Sequence, residues 1–336
     1  MPHNLTTIDG VTEMFYYGDR PWHGLGAKVD HAATAAEAIA AANLDWDVLI
    51  QDVYTRSPER EMLLVPDRRA IVRSDTQEVF AIMKDRYSPV QNRDAFSFFD
   101  KVVGEGQAIY HTAGSLDGGR KVWILAKLSG ELVAGREDLI EKFILLSNSH
   151  DGTKAFTMMI TPIRVVCQNT LTWAERKGSN QFYARHTPSI EHRVVDAREI
   201  LGLTDVYFKW FMDGVNRLVE KEFTQKQMQE MLKELFKLDE HQISEERLHA
   251  NKEYPFLKIQ ELFEVGPGAD FREAQGTAWG AWNAVTAFVD HFKPVGIGIK
   301  TAGAVTPSIL ENRMESSLFG TGADLKLRSW EYLLKN

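Results

Sequence analysis

The stretch Phe143 to Trp173, FILLSNSHDGTKAFTMMITPIRVVCQNTLTW, constrains the fold more than any other part of the chain. An apolar run from Phe143 to Leu146 meets a polar turn, Ser147 to Lys154, and a second apolar run follows from Ala155 to Ile160. Two such runs around Asp151-Gly152 predict a β-hairpin, because a tight turn needs positive φ and glycine adopts it at no steric cost. Pro162 is expected to punctuate the second strand. A short apolar strand carrying Arg164 then passes into the polar cluster Gln168-Asn169-Thr170 and on into a helix.

The remaining pattern predicts an α+β protein, a mostly antiparallel sheet with β-hairpins and a few helices followed by a helical C-terminal half. The first 30 residues read as irregular, with RPWHGLG (20 to 26) as a surface loop pinned by Trp22 or a binding surface carrying Arg20 and His23. Gly24 and Gly26 do not make a dinucleotide fingerprint, since no strand precedes them and the third glycine is absent. Thr34 and Glu37 have capping-box spacing before an alanine-rich helix ending near Asn43. Trp46 to Tyr54, Arg69 to Arg73 and Val79 to Lys84 read as strands, with Ser57-Pro58 and Pro66-Asp67 as turns. Asn92 is expected to cap a helix that buries Phe96, Phe99 and Val103 and stops at Gly104. Gln107 to Ala113 and Lys121 to Leu128 flank Asp117-Gly118-Gly119 as a second hairpin, and Arg136 to Phe143 reads as a short helix or helical turn. Beyond Pro188 the period becomes 3.6. Thr224 and Gln227 form a capping box, stapled by Phe223 and Met228, ahead of Met231, Leu232 and Leu235. Further helices are expected from Gly276 to Phe292 and from Asp324 to Leu334, with a mobile loop from Gly296 to Thr306 between them. The expected division is a sheet domain, residues 1–193, and a mainly helical region, 194–336, that packs on it and contributes subunit contacts.

With 336 residues and 44% apolar content the chain can bury a substantial core. No apolar stretch approaches the roughly 20 residues that span a bilayer, and MPHNLTTIDG lacks the pattern of a secretory signal. A cytoplasmic protein without a membrane partner is expected. Cys167 is the single cysteine, which excludes an internal disulfide and a Cys-rich zinc site. No histidine pair has HxH or HxxxH spacing, so neither metal nor cofactor is expected.

The net charge of −8 argues against coating duplex DNA by bulk attraction, but charge is segregated along the chain. Between Gly152 and Arg193 six cations (Lys154, Arg164, Arg176, Lys177, Arg185 and Arg193) face two acids, Glu175 and Glu191. From Val194 to Glu264 the acids outnumber the bases. The basic interval supplies what a single strand needs. Lys154, Arg164, Arg176, Lys177 and Arg185 can meet phosphates, Trp173, Phe182 and Tyr183 can stack on bases, and Gln168, Asn169, Asn180 and Gln181 can pair with base edges or backbone; the same residues also fit a solvated face with core aromatics, and their spacing does not decide between the two. An enzyme is the rival reading, with Cys167 as nucleophile beside His150, Asp151, Arg164 and Asn169. The adjacent Ser149-His150-Asp151 cannot itself be a triad, whose members converge from separate chain positions. In a hairpin turn these residues are expected to satisfy local backbone groups. A third reading is a regulatory protein that binds a host partner.

RPWHGLG, YSPVQN (87 to 92), AGSLDGGRKVW (113 to 123), LLSNSHDGT (145 to 153), PIRVVCQNTL (162 to 171), GTAWGAWNAVTAFVDH (276 to 291) and NRMESSLFGTGADLK (312 to 326) resemble the phage- and plasmid-borne family catalogued as domain of unknown function 932. The resemblance implies a mobile-element protein in a bacterial host. The order of strands, hairpins and helices is also similar, more loosely, to single-strand annealing proteins of the Red beta and RecT superfamily, in which a curved antiparallel sheet and a helix form an oligomeric ring with a basic groove. That likeness implies a DNA-binding, strand-annealing protein of homologous recombination, acting on single-stranded DNA ahead of RNA, without covalent chemistry, as a ring or filament.

Overall fold

A computed structural model of the chain describes residues 5–18, 25–103, 108–164, 169–170, 181–186, 204–238, 250–293, 316–317 and 320–335. Within these, the side chains of 102–103, 164, 169–170, 181, 204 and 250–253 are left aside. The described residues form an α+β protein, with antiparallel-rich sheets ahead of the C-terminal helices. It divides into two compact units, and at 129/130, 142/143 and 160/161 the chain passes between them within strands. One unit holds 1–129, 143–160 and 180–203; the other holds 130–142, 161–179 and 204–336.

Of the first 30 residues, 5–18 and 25–30 are more ordered than their irregular sequence suggests, while Arg20, Trp22 and His23 of the expected loop lie outside the described residues. β1 (Thr7–Ile8) and β2 (Val11–Thr12) pair with each other, while β3 (Met14–Tyr17) lies between β4 (Ala27–Val29) and β8 (Ala108–Leu116). Burial explains it: Met14, Phe15 and Tyr16 are all buried, so an extended segment is held by side chains on both faces.

α1 (Ala35–Ala41) starts at the expected capping box, where the Glu37 amide donates to Thr34 Oγ1 and the Glu37 carboxylate accepts from the Thr34 backbone amide. β5 (Val48–Arg56), β6 (Met62–Arg73) and β7 (Val79–Lys84) form a separate three-stranded antiparallel sheet in the order β5-β6-β7. Pro66-Asp67 does not end a strand here. Asp52 pairs with Arg69 and Tyr54 with Leu64, so β6 absorbs residues 65–68 as an excursion inside one strand, with Asp67 at φ 56°. α2 (Asn92–Val103) buries Phe96 and Phe99; Gly104 lies outside the described residues.

β8 and β9 (Lys121–Ala134) pair across the Asp117-Gly118-Gly119 turn as a hairpin. β10 (Asp138–Ser149) follows after a turn at Gly135, whose φ is 63°. The expected helical turn at 136–143 is therefore corrected to strand. Asp138 and Ile140 are buried where Leu139 and Glu141 are half-buried, which is an alternation of period two. β11 (Phe156–Arg164) completes the hairpin around Gly152, with φ 70°. It does not stop at Pro162. β13 (Gln181–Ala184) pairs with Phe156 to Met159 and β12 (Asn169–Thr170) with Ile163 and Arg164, so Pro162 falls between the two partners on that side, where a missing N–H breaks no ladder bond. The main sheet runs β12-β11-β10-β9-β8-β3-β4. The core of the first unit joins Phe15, Phe96, Phe99, Ile124, Leu146 and Phe156.

In the second unit, α3 (Thr204–Glu220), α4 (Gln225–Phe236), α5 (Ala250–Val265), α6 (Ala278–Ala287) with its π-helical extension Phe288–Phe292, and α7 (Thr321–Lys335) pack around one another. α4 has the expected box between Thr224 and Gln227, and Met228, Met231, Leu232 and Leu235 are buried. Every residue of α6 is buried. Both of its indoles find partners: Trp279 Nε1 donates to Asp138 Oδ2 at 2.7 Å and Trp282 Nε1 to the Lys326 carbonyl at 3.1 Å. Gly280 is needed there, because a Cβ would lie 1.9 Å from the Ala274 carbonyl oxygen. Residues 296–306 lie outside the described residues. No described helix is long and apolar enough to cross a membrane.

Candidate nucleic-acid interface

β13 and the residues after it alternate strictly. Phe182 and Ala184 are buried in the core of the first unit and His186 is buried too, whereas Tyr183 and Arg185 are exposed. Successive strand residues point to opposite faces, so the phenol and the guanidinium stand side by side on the outer face. Among the described strands β13 pairs with β11 alone. Its register sets Tyr183 opposite Thr157 and Ala184 opposite Phe156, and two further steps bring Lys154 level with His186. Lys154 therefore lies at the same end of the sheet as Tyr183 and Arg185, in register with His186 rather than on the face those two share. Tyr183 is 48% exposed, and partial burial raises its phenol pKa, so it presents a neutral ring.

His186 fixes this end of the sheet. Its ring stacks on Tyr87, and its carbonyl accepts from the Ser88 amide at 3.2 Å. The Tyr87 hydroxyl donates to the Ser149 carbonyl at 3.2 Å, which ties the same loop to the hairpin turn. Burial pushes the Tyr87 phenol upward and the Asp151 carboxylate adds to that. Burial also lowers the His186 pKa to about 4, against an upward pull from the Lys154 backbone and Asp151.

The other site residues are distributed differently. Arg164 and Asn169 are register partners on β11 and β12 in the second unit. Gln168, Trp173, Arg176, Lys177 and Asn180, with Cys167, lie outside the described residues.

The hairpin turn answers the enzyme reading at His150. The imidazole is fully buried, stacked on Phe80 at 6.0 Å and edge-on to Trp46 at 5.4 Å. Asn92 was expected to cap α2 and does something else. Its Nδ2 donates to the Leu44 carbonyl at 3.0 Å, which turns Oδ1 toward His150 Nε2, also at 3.0 Å. Nε2 must then carry the proton, leaving Nδ1 as a buried lone pair with no hydrogen-bond partner. Burial, with the nearby His186 and Arg73 acting in the same direction and Asp151 against them, lowers the His150 pKa to about 3. Asp151 accepts from Ser149 Oγ, Thr153 Oγ1 and the Thr153 amide; burial works against its ionisation, but those bonds hold its carboxyl below the usual range. Ser149 and Asp151 thus satisfy local groups, as the turn reading expects, whereas His150 bonds a side chain 58 positions away. The imidazole thus has no solvent-facing edge in this arrangement.

Spacing gave no sign of the buried pair beneath this turn. Arg73 and Glu13 are both buried and ion-paired, with Ser115 Oγ also bonded to Glu13. Arg73 Nε reaches Asp75 at 2.6 Å, Nη1 reaches the Gly118 carbonyl at 2.9 Å, and the guanidinium lies 4.3 Å from the Trp46 ring centre. The ion pair spans 60 residues of sequence, which no local pattern records. Among the described residues no group of three or more His, Cys, Asp or Glu could hold a metal ion.

No curated protein and no solved structure matches the chain. A family model described as Domain of unknown function (DUF932) matches residues 79–316, a span that includes the hairpin turn, β13 and α6. The chain belongs to the DUF932 family.

Proposed function

We propose that the protein binds single-stranded nucleic acid, DNA ahead of RNA, and brings complementary strands together without covalent chemistry. The observation that carries the reading is the outward pair Tyr183 and Arg185 on a strand with no described partner on its other side. An aromatic face on a sheet stacks on any base, and a neighbouring cation meets the phosphate. In this reading Arg185 and Lys154 hold the backbone, with Arg164, Arg176 and Lys177 extending the cationic interval and Trp173, Gln168 and Asn169 adding stacking and amide contacts. Bases stacked through their faces keep their pairing edges open, so two strands held at high local concentration can anneal. Recombination of a mobile element in the host cytoplasm, with the protein as a homo-oligomer, is the setting this activity suits.

Titration of labelled single strands at low and raised salt tests the reading. Neutralising several phosphates makes the logarithm of affinity fall linearly with that of salt, and about five contacts cost orders of magnitude between 50 and 200 mM. Absent or salt-independent binding would end the proposal.

A further inference from the structure

The sheet β5-β6-β7 leaves an unusual amount of apolar surface in water. Ile50 and Tyr54 on β5, Met62, Leu63 and Leu64 on β6, and Ile82 on β7 are each about half exposed or more. Ile50, Tyr54, Met62 and Leu64 share one face of the sheet, and Leu63 and Ile82 lie on the other; the exposed parts of the first four come to roughly 400–500 Å², the size of a monomer's largest and often functional patch and about half of the ~800 Å² that one partner gives to a standard interface. Among the described strands β5 is also an open edge: it pairs with β6 alone, contains neither glycine nor proline, and runs unbroken from Val48 to Arg56 because β6 takes the excursion. Such an edge is a template for another strand.

We propose that β5 pairs antiparallel with β5 of a second copy of this chain, across a two-fold axis at Tyr54. The sequence of the strand selects that register. Asp52, Tyr54 and Arg56 share one face, so centring on Tyr54 sets each Asp52 opposite Arg56 of the other copy and the two tyrosines opposite each other. Both are favourable cross-strand pairs. Leu64 and Met62 are the register partners of Tyr54 and Arg56, so the two tyrosines join the two Leu64 side chains in one apolar stripe across the axis. Asp52 already lies 3.4 Å from Arg69 on its inner side, and the second copy's Arg56 supplies a cation on the outer side. The contact is isologous and closes as a dimer. It stands apart from the nucleic-acid reading, since none of its residues belongs to that interface.

Charge exchange at the axis gives a test that folding failure cannot imitate. Sedimentation of the full chain is expected to show a dimer, and Asp52→Arg or Arg56→Asp alone should weaken self-association about tenfold or more by opposing like charges twice. An equimolar mixture of the two variants should recover the dimer, because every Arg then faces an Asp, and the double variant D52R/R56D should recover it as well. Circular-dichroism melting confirms that each single variant is folded. A monomeric wild-type chain, single variants that associate as the wild type does, or a mixture that stays dissociated would each overturn the proposal.

Discussion

The rings of Tyr87 and His186 stack with their centres 5.3 Å apart and their planes 20° from parallel. That contact joins the end of β13 to the loop whose tyrosine also holds the Ser149 carbonyl. Arg185, one residue before, takes its place from it. The stack is made of residues 99 positions apart in the chain, yet it sets the geometry of the candidate interface.

His186 and His150 make stability depend on pH in a defined direction. Both are held neutral, with pKa lowered from 6.5 to about 4 and about 3, so the unfolded chain takes up protons that the folded chain refuses. Their contribution is full above about pH 6.5 and is lost as pH falls toward the folded values, at about 1.4 kcal/mol per pH unit for each ring. Urea unfolding between pH 6.5 and 4.5 should show this slope, and His186→Phe, which keeps a ring on Tyr87, should reduce it by one proton. An unchanged slope would mean that His186 is not kept neutral by burial.

Asn92 bridges two chain segments rather than capping its helix. Asn92→Ala should leave the Leu44 carbonyl and His150 Nε2 both buried without partners, at about 1–3 kcal/mol for each group. Chemical denaturation measures it. A loss under about 0.5 kcal/mol, the range of surface substitutions, would show that neither bond is made.

Arg73→Met should be more damaging, because it strands Glu13 as a buried charge; breaking such a pair costs about 3–5 kcal/mol. Adding Glu13→Leu should recover much of the loss. If the double change is as unstable as the single one, packing around Trp46 matters more than the charge.

What the sequence displayed and what it concealed differ by range. The Gly152 turn and the boxes at Thr34 and Thr224 rest on contacts within a few residues, so spacing alone predicts them. The strand Gln181–Ala184 is not expected from the sequence, although Tyr183 and Arg185 are both named as candidates. Nor is the excursion at residues 65–68: Pro66-Asp67 has turn chemistry, and only pairing with β5 and β7 keeps both flanks in one strand. Residues 136–143 misled for a similar reason. The short segment looks amphipathic at either period, and the burial of Ile140 among the helices of the second unit decides for strand. Arg73 with Glu13, and Asn92 with His150, were invisible because each is a long-range match of one buried polar group to another.

The central claim is that the outer face of β13 carries the strand. The most direct measurement is the affinity of a labelled single-stranded oligonucleotide for three proteins: wild type, Tyr183→Ala with Arg185→Glu, and Lys233→Glu with Lys237→Glu on and just after α4. Loss of one stacked base is worth about 1–3 kcal/mol, and the reversed charge adds to it. The first double variant should therefore bind at least about tenfold more weakly with its melting temperature unchanged, while the second binds nearly as the wild type does. Equal losses from the two pairs would reduce the effect to net charge, and undiminished binding by the first would contradict the account.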